Sequence, residues 1–192
     1  MCYQARNLLY LVEFANFNSQ NMLGSGISGD SAAHNTGETD AMIYHTGRAE
    51  GTNNLSAVQY RHIENPYGNV YTFVDGILIN EHEVFLCTDP QYYGNEITEN
   101  YLSTGVTTPD SNGYPKDLIF SDSYSWALIP SELGGSTSTY LCDYYYSTSD
   151  LRILLVGGNW SNGGNAGFWC FYANWAASWS GSDVGGRSVF IK

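Results

Sequence analysis

Basic residues are scarce: seven lysines and arginines stand against nineteen acids in 192 residues, a formal net charge of −12. A polyanion is held through clustered lysine and arginine, so neither nucleic acid nor an anionic lipid surface is an expected partner. Long apolar runs are missing as well. The longest, near Leu8 to Phe14, is interrupted by Tyr10 and Glu13 and falls short of the ~18 residues a membrane helix needs, so no membrane insertion is expected. The opening MCYQARNLLYLVEF also lacks the basic start, continuous apolar centre and small-residue cleavage site of a secretory signal. Cysteine is sparse and scattered. Cys2, Cys87, Cys142 and Cys170 form no CxxC pair and have no histidine at metal-ligand spacing, which argues against zinc and favours buried, reduced thiols over two disulfides. His34, His45, His62 and His82 accompany no GxSxG elbow or other nucleophile context, so a Ser/His/Asp hydrolase finds no support.

What remains is a chain of single-domain length whose 43% hydrophobic content suffices for one core. Leu8, Leu11, Val12 and Ala15 recur at three- and four-residue steps, and Gly24 and Gly26 follow, which predicts an amphipathic helix from Cys2 to about Asn21. Residues 24–54 and 91–115 are rich in turn formers and read as loop insertions. Between them, a turn at Asn65-Pro66-Tyr67-Gly68 leads into Val70 to Ile79, a strand-like run broken at Asp75-Gly76 and read as a hairpin, and EHEVFLCTD suggests a further strand. Tyr140, Cys142, Tyr144 and Tyr146 would share one face of a strand, Leu151 to Val156 form a second, more apolar run, and SVFIK is a plausible closing strand.

The stretch from Gly157 to Arg187, GGNWSNGGNAGFWCFYANWAASWSGSDVGGR, gathers four of the five tryptophans among Gly, Asn and Ser and holds one acid, Asp183. Rigid aromatics with small polar neighbours suit a contact surface. A buried core threaded by turns is the competing reading, and alternation would send Trp169 and Phe171 to one side of a strand that could face the interior.

The residues LRILLVGGNWSNGGNAGFWCFYANWAASWSGSDVGGRSVFIK resemble the variable C-terminal region of proteins diversified by diversity-generating retroelements. The GGNW, NAG and GGR frame carries the likeness, and ENPYGNVYTFVDGI resembles an upstream family segment, with Tyr71 and Phe73 where tryptophans are usual. This resemblance implies a C-type-lectin-like fold related to the formylglycine-generating, sulfatase-modifying family. The expected class is α+β, with short antiparallel strands, an N-terminal helix and long irregular loops, in one domain over 1–192 with a variable region at 157–187.

The resemblance also implies a mechanism. A reverse transcriptase misreads template adenines, so AAY codons become those of many residues while a stable scaffold displays the outcome. Ser161, Cys170, Tyr172, Asn174, Ser178, Ser180, Gly181, Ser182 and Asp183 are reachable from AAY and are the candidate ligand contacts. The tryptophan codon is not reachable, so Trp160, Trp169, Trp175 and Trp179 are assigned to the scaffold of the site. Arg187 joins them as an anchor, with Asp75 as its candidate partner, and the glycine pairs 157–158 and 185–186 would bracket the surface.

The implied protein is a non-enzymatic receptor-binding display protein of a phage tail or bacterial surface, without cofactor. It would bind a protein or glycan receptor, and homo-oligomers would raise avidity. A fixed-specificity adhesin or carbohydrate-binding domain is the alternative. A formylglycine-generating oxidase fits less well, because Cys170 has no neighbouring thiol. Calcium could be held by GDSAAHNTGETD or TPDSNGYPKD, but neither has EF-hand spacing, which favours solvated loops.

Overall fold

A computed structural model describes residues 26–50 and 55–186. The helix expected over Cys2 to about Asn21, the closing strand SVFIK and Arg187 lie outside the described residues. Of those described, 41% are in strands and 4% in short helical turns, and no helix reaches seven residues. The α+β, C-type-lectin-like class is therefore corrected to a nearly all-β, sandwich-like one. The reason lies in the central strands, whose side chains are apolar on both faces. Each face is covered by extended or irregular chain, so the described core is closed without a helix.

The strands are β1 (Thr46–Arg48), β2 (Val58–Tyr60), β3 (Ile63–Glu64), β4 (Tyr71–Asn80), β5 (Glu83–Leu86), β6 (Leu102–Thr107), β7 (Pro115–Phe120), β8 (Leu128–Leu133), β9 (Tyr145–Ser147), β10 (Leu151–Gly157), β11 (Gly167–Trp175) and β12 (Val184–Gly185). The main sheet runs β6-β5-β4-β10-β11-β9, and β12 lies parallel to the first residues of β4. A three-stranded sheet, β1-β2-β3, and a β7-β8 ribbon complete the fold.

The run Val70 to Ile79, read as a hairpin, is one strand kinked by a bulge at Asp75-Gly76. Its hairpin partner is β5, reached through Glu81 and His82. Both have positive φ, 47° and 67°, the geometry of a tight turn whose twist matches the strands it joins. Strand β10 is central because Leu154 and Val156 feed one core while Ile153 and Leu155 feed the other. The first core lies under β2 and the β7-β8 ribbon and includes Val58, Tyr67, Ile129, Trp169 and Phe171. The second lies under residues 87–101 and the chain after β11, and it collects Tyr71, Tyr172, Cys170, Tyr101 and Val184. Cys87, Cys142 and Cys170 are buried and form no disulfide among the described residues.

Candidate ligand-binding surface

Strand β11 divides the aromatic tail between the two cores. Trp169, Phe171 and Ala173 point into the first, as strict alternation requires of residues two apart. Cys170 and Tyr172 point the other way, yet neither is on the surface: Cys170 is 0% and Tyr172 8% exposed. Tyr172 sits in a nest of rings, with centroids 5.2 Å from Tyr71, 5.6 Å from Tyr146 and 6.1 Å from Tyr144. Burial pushes the hydroxyls of Tyr71 and Tyr172 well above the ordinary phenol range, and neighbouring Cys170 adds to both shifts. These two residues form a floor. Tyr144, Tyr146 and Tyr114 are half-buried beside it, and the Tyr114 hydroxyl donates to Asn165 Oδ1 at 2.6 Å.

Beyond Trp175 the chain leaves the sheet and turns back through residues 176–183 to β12. The Trp175 and Trp179 rings stack 3.8 Å apart at 15°, and Trp179 N donates to Ala176 O, so the loop is clipped at its base. Ser178, Ser180, Gly181 and Ser182 are exposed on it, as is Ser161 on the loop that joins β10 to β11. Asn174 is half-buried. Gly181 is more constrained than its exposure suggests, because a Cβ there would come 2.5 Å from Asp183 Oδ1.

Asp183 is a candidate contact that the structure ties into the frame. Its Oδ2 accepts from Asn159 Nδ2 at 3.0 Å, and its carbonyl accepts from Tyr71 N at 2.8 Å. Asn159, which sequence reasoning did not single out, is the hub of the surface. Its Oδ1 accepts from Ser161 N and Oγ, its N donates to Asn162 Oδ1, and its carbonyl accepts from Ser28 Oγ. One buried amide thereby joins the loop after β10 to the loop after β11. Trp160 acts through its backbone: its N donates to Asn69 O, and its carbonyl accepts from Gly29 N and Asp30 N.

Glycine sets the close approaches. At Gly158, with φ +72°, a Cβ would lie 2.7 Å from Ala166 Cβ. At Gly167 it would collide with the Asp143 carboxylate, whose Oδ2 accepts from Trp169 N at 2.6 Å. Asp143 is a second residue that sequence reading passed over. A polar residue in the tyrosine-rich YLCDYYY is the signal that marks it, since a buried carboxylate needs donors. Asp75, the candidate partner of Arg187, is exposed on the β4 bulge.

The four histidines do not converge. His34 lies between Asp30 at 2.7 Å and Glu38 at 2.9 Å, and the Asp30 carboxylate raises its pKa above the usual imidazole value. His45 and His62 stack on each other at 3.6 Å. His82 bridges the buried Ser147 Oγ and Asp110, tying β9 to the β4-β5 turn. The acids Asp30, Glu38 and Asp110 of the two stretches weighed for calcium thus face histidines. No group of three metal-ligating side chains occurs among the described residues, and no described helix is long and apolar enough to cross a membrane. Comparison of the chain with protein-family models and with curated proteins returns no match.

Proposed function

We propose that this protein is a ligand-binding display protein, whose contact surface is the exposed loop of residues 176–183 together with the Ser161 turn. The observation that carries this reading is that Ser178, Ser180 and Ser182 stand in solvent on a loop fastened at both ends. The Trp175–Trp179 stack holds one end and the Asn159–Asp183 hydrogen bond the other. Side chains at such positions can change with little effect on stability. The likeness of the GGNW to GGR frame to retroelement-diversified regions supplies the reason for such a loop. A phage tail or bacterial surface is the setting this implies, with a protein or glycan receptor as partner.

The test is genetic. A reverse transcriptase gene and a near-copy of the segment encoding 157–187 are expected beside this gene, with sibling copies differing most at the codons for Ser178, Ser180 and Ser182. Siblings that vary evenly along the chain, with no such neighbours, would overturn diversification.

The burial of Cys170 and Tyr172 and the tether on Asp183 favour a second reading, a fixed-specificity adhesin using the same surface. Identical residues at 161 and 178–182 in all siblings would select it.

A further inference from the structure

The main sheet carries a defect on its central strand. One step along β10, from Ile153 to Leu154, corresponds on β4 to a jump from Leu78 to Val74, so Asp75, Gly76 and Ile77 bulge out of register. Bulges of this kind re-aim a side chain. Here the backbone is pressed so tightly against its neighbours that only glycine fits at its apex. Gly76 has φ +81°, and a Cβ would lie 2.8 Å from the Cys87 carbonyl oxygen and 3.0 Å from the Tyr93 ring. The bulge holds Asp75 at a cavity of about 250 Å³, whose walls include Phe73, Leu78, Tyr101, Ile153 and Ala177. That volume is below the ~300–1,000 Å³ of pockets for drug-sized ligands and matches a guest the size of one side chain. The Tyr101 wall is fixed, because its hydroxyl donates to Gly94 O at 3.0 Å and accepts from Gly94 N at 3.1 Å.

Among the described residues the cavity has a charge and no counter-charge. The Asp75 carboxylate makes no hydrogen bond or ion pair with any described residue. The cavity lining comes from residues 73–78, 94, 95, 101, 153 and 177, and the chain has no lysine or arginine between Arg61 and Lys116 or between Arg152 and Arg187. Exposed Glu96 and Glu99 on the neighbouring loop deepen the negative field. A carboxylate beside two aromatic residues and aliphatic walls is a setting for a cation on an apolar stem: the charge meets Asp75, and the methylenes meet Phe73, Leu78, Ile153 and Ala177.

We propose that this bulge cavity, one residue from the exposed Ser178, binds an alkylammonium group, supplied either by a lysine side chain of a partner or by a free aliphatic amine. The proposal does not depend on diversification of the loop, since the carboxylate and the rings come from the β4 bulge and the Tyr101 loop, and of residues 176–183 the lining includes Ala177 but none of the exposed serines.

The test is a titration of the isotope-labelled full chain, followed by amide shifts. The probes are n-butylamine, its neutral counterpart 1-butanol, and an end-blocked Gly-Lys-Gly peptide. Shifts from the amine are expected at Gly76, Gly94, Asn95 and Ala177. Loss of the charge, in 1-butanol or in Asp75→Asn, is expected to weaken binding about tenfold or more, as for a hydrogen bond to a charged group. Ala177→Leu, which fills the cavity but keeps the carboxylate, should abolish it. Binding by both amine and peptide assigns the side-chain source, and binding by the amine alone the small-molecule source. Equal binding of amine and alcohol, or an unaltered affinity in folded Asp75→Asn, overturns the proposal. Ser178→Tyr should leave the amine shifts in place, so loss of amine binding and loss of the display reading are separate outcomes.

Discussion

Asn159 shows how much of the surface rests on one side chain. It is buried, and it satisfies groups on two loops. Asn159→Ala would remove the hydrogen bonds to Asp183 and the Ser161 turn, at a cost of about 1.5–3 kcal/mol in urea unfolding, the worth of a hydrogen bond to a charged group. His34 makes a different kind of prediction. Its pKa is raised in the folded chain by Asp30, so the fold prefers the protonated ring. The contribution is complete below the unfolded value of about 6.5 and is lost as pH rises through the higher folded value. Stability should therefore decline across that interval, and His34→Gln should remove this part of the decline. The pair is half-exposed and salt-screened, so the slope is small and best read at low ionic strength.

At the scale of elements, the loop after β11 owes its shape to Trp175 and Trp179. A double-mutant cycle with alanine at both positions should give a coupling of about 0.5–1.5 kcal/mol, the worth of an aromatic pair beyond its burial. Either single variant should speed hydrogen exchange at residues 177–182 without affecting β10. The stack joins residues four apart, and the sequence reading placed both tryptophans in the scaffold without pairing them. Legible in the sequence were β5, the apolar run of β10 and the shared face of Trp169 and Phe171, because alternation marks which residues lie on one side. Long-range pairings were not. Strand β12 returns to lie beside Tyr71 and Thr72, and β9 runs parallel to β11, and no periodicity announces either partner. The same limit explains Cys170 and Tyr172. Codon logic made them candidates for display, but the second face of the sheet is also covered, by residues 87–101 and by the loop itself. The break at Asp75-Gly76 was visible as a break. Its meaning, a bulge within one strand instead of a turn between two, required knowing that β10 lies alongside.

For the molecule as a whole, two cores on opposite faces of one sheet supply stability, and the exposed serines of the loop of residues 176–183 draw on it while contributing little. A net charge of −12 gives the protein a negative long-range field. The most direct test of this division is a library randomised together at Ser178, Ser180 and Ser182, with a parallel library at Cys170 and Asp183, each scored by urea midpoint. In the first, most members should stay folded, with each change worth no more than ~0.5 kcal/mol. In the second, most should unfold earlier than the parent. Loss of folding as frequent at the three serines as at Cys170 and Asp183 would contradict the account.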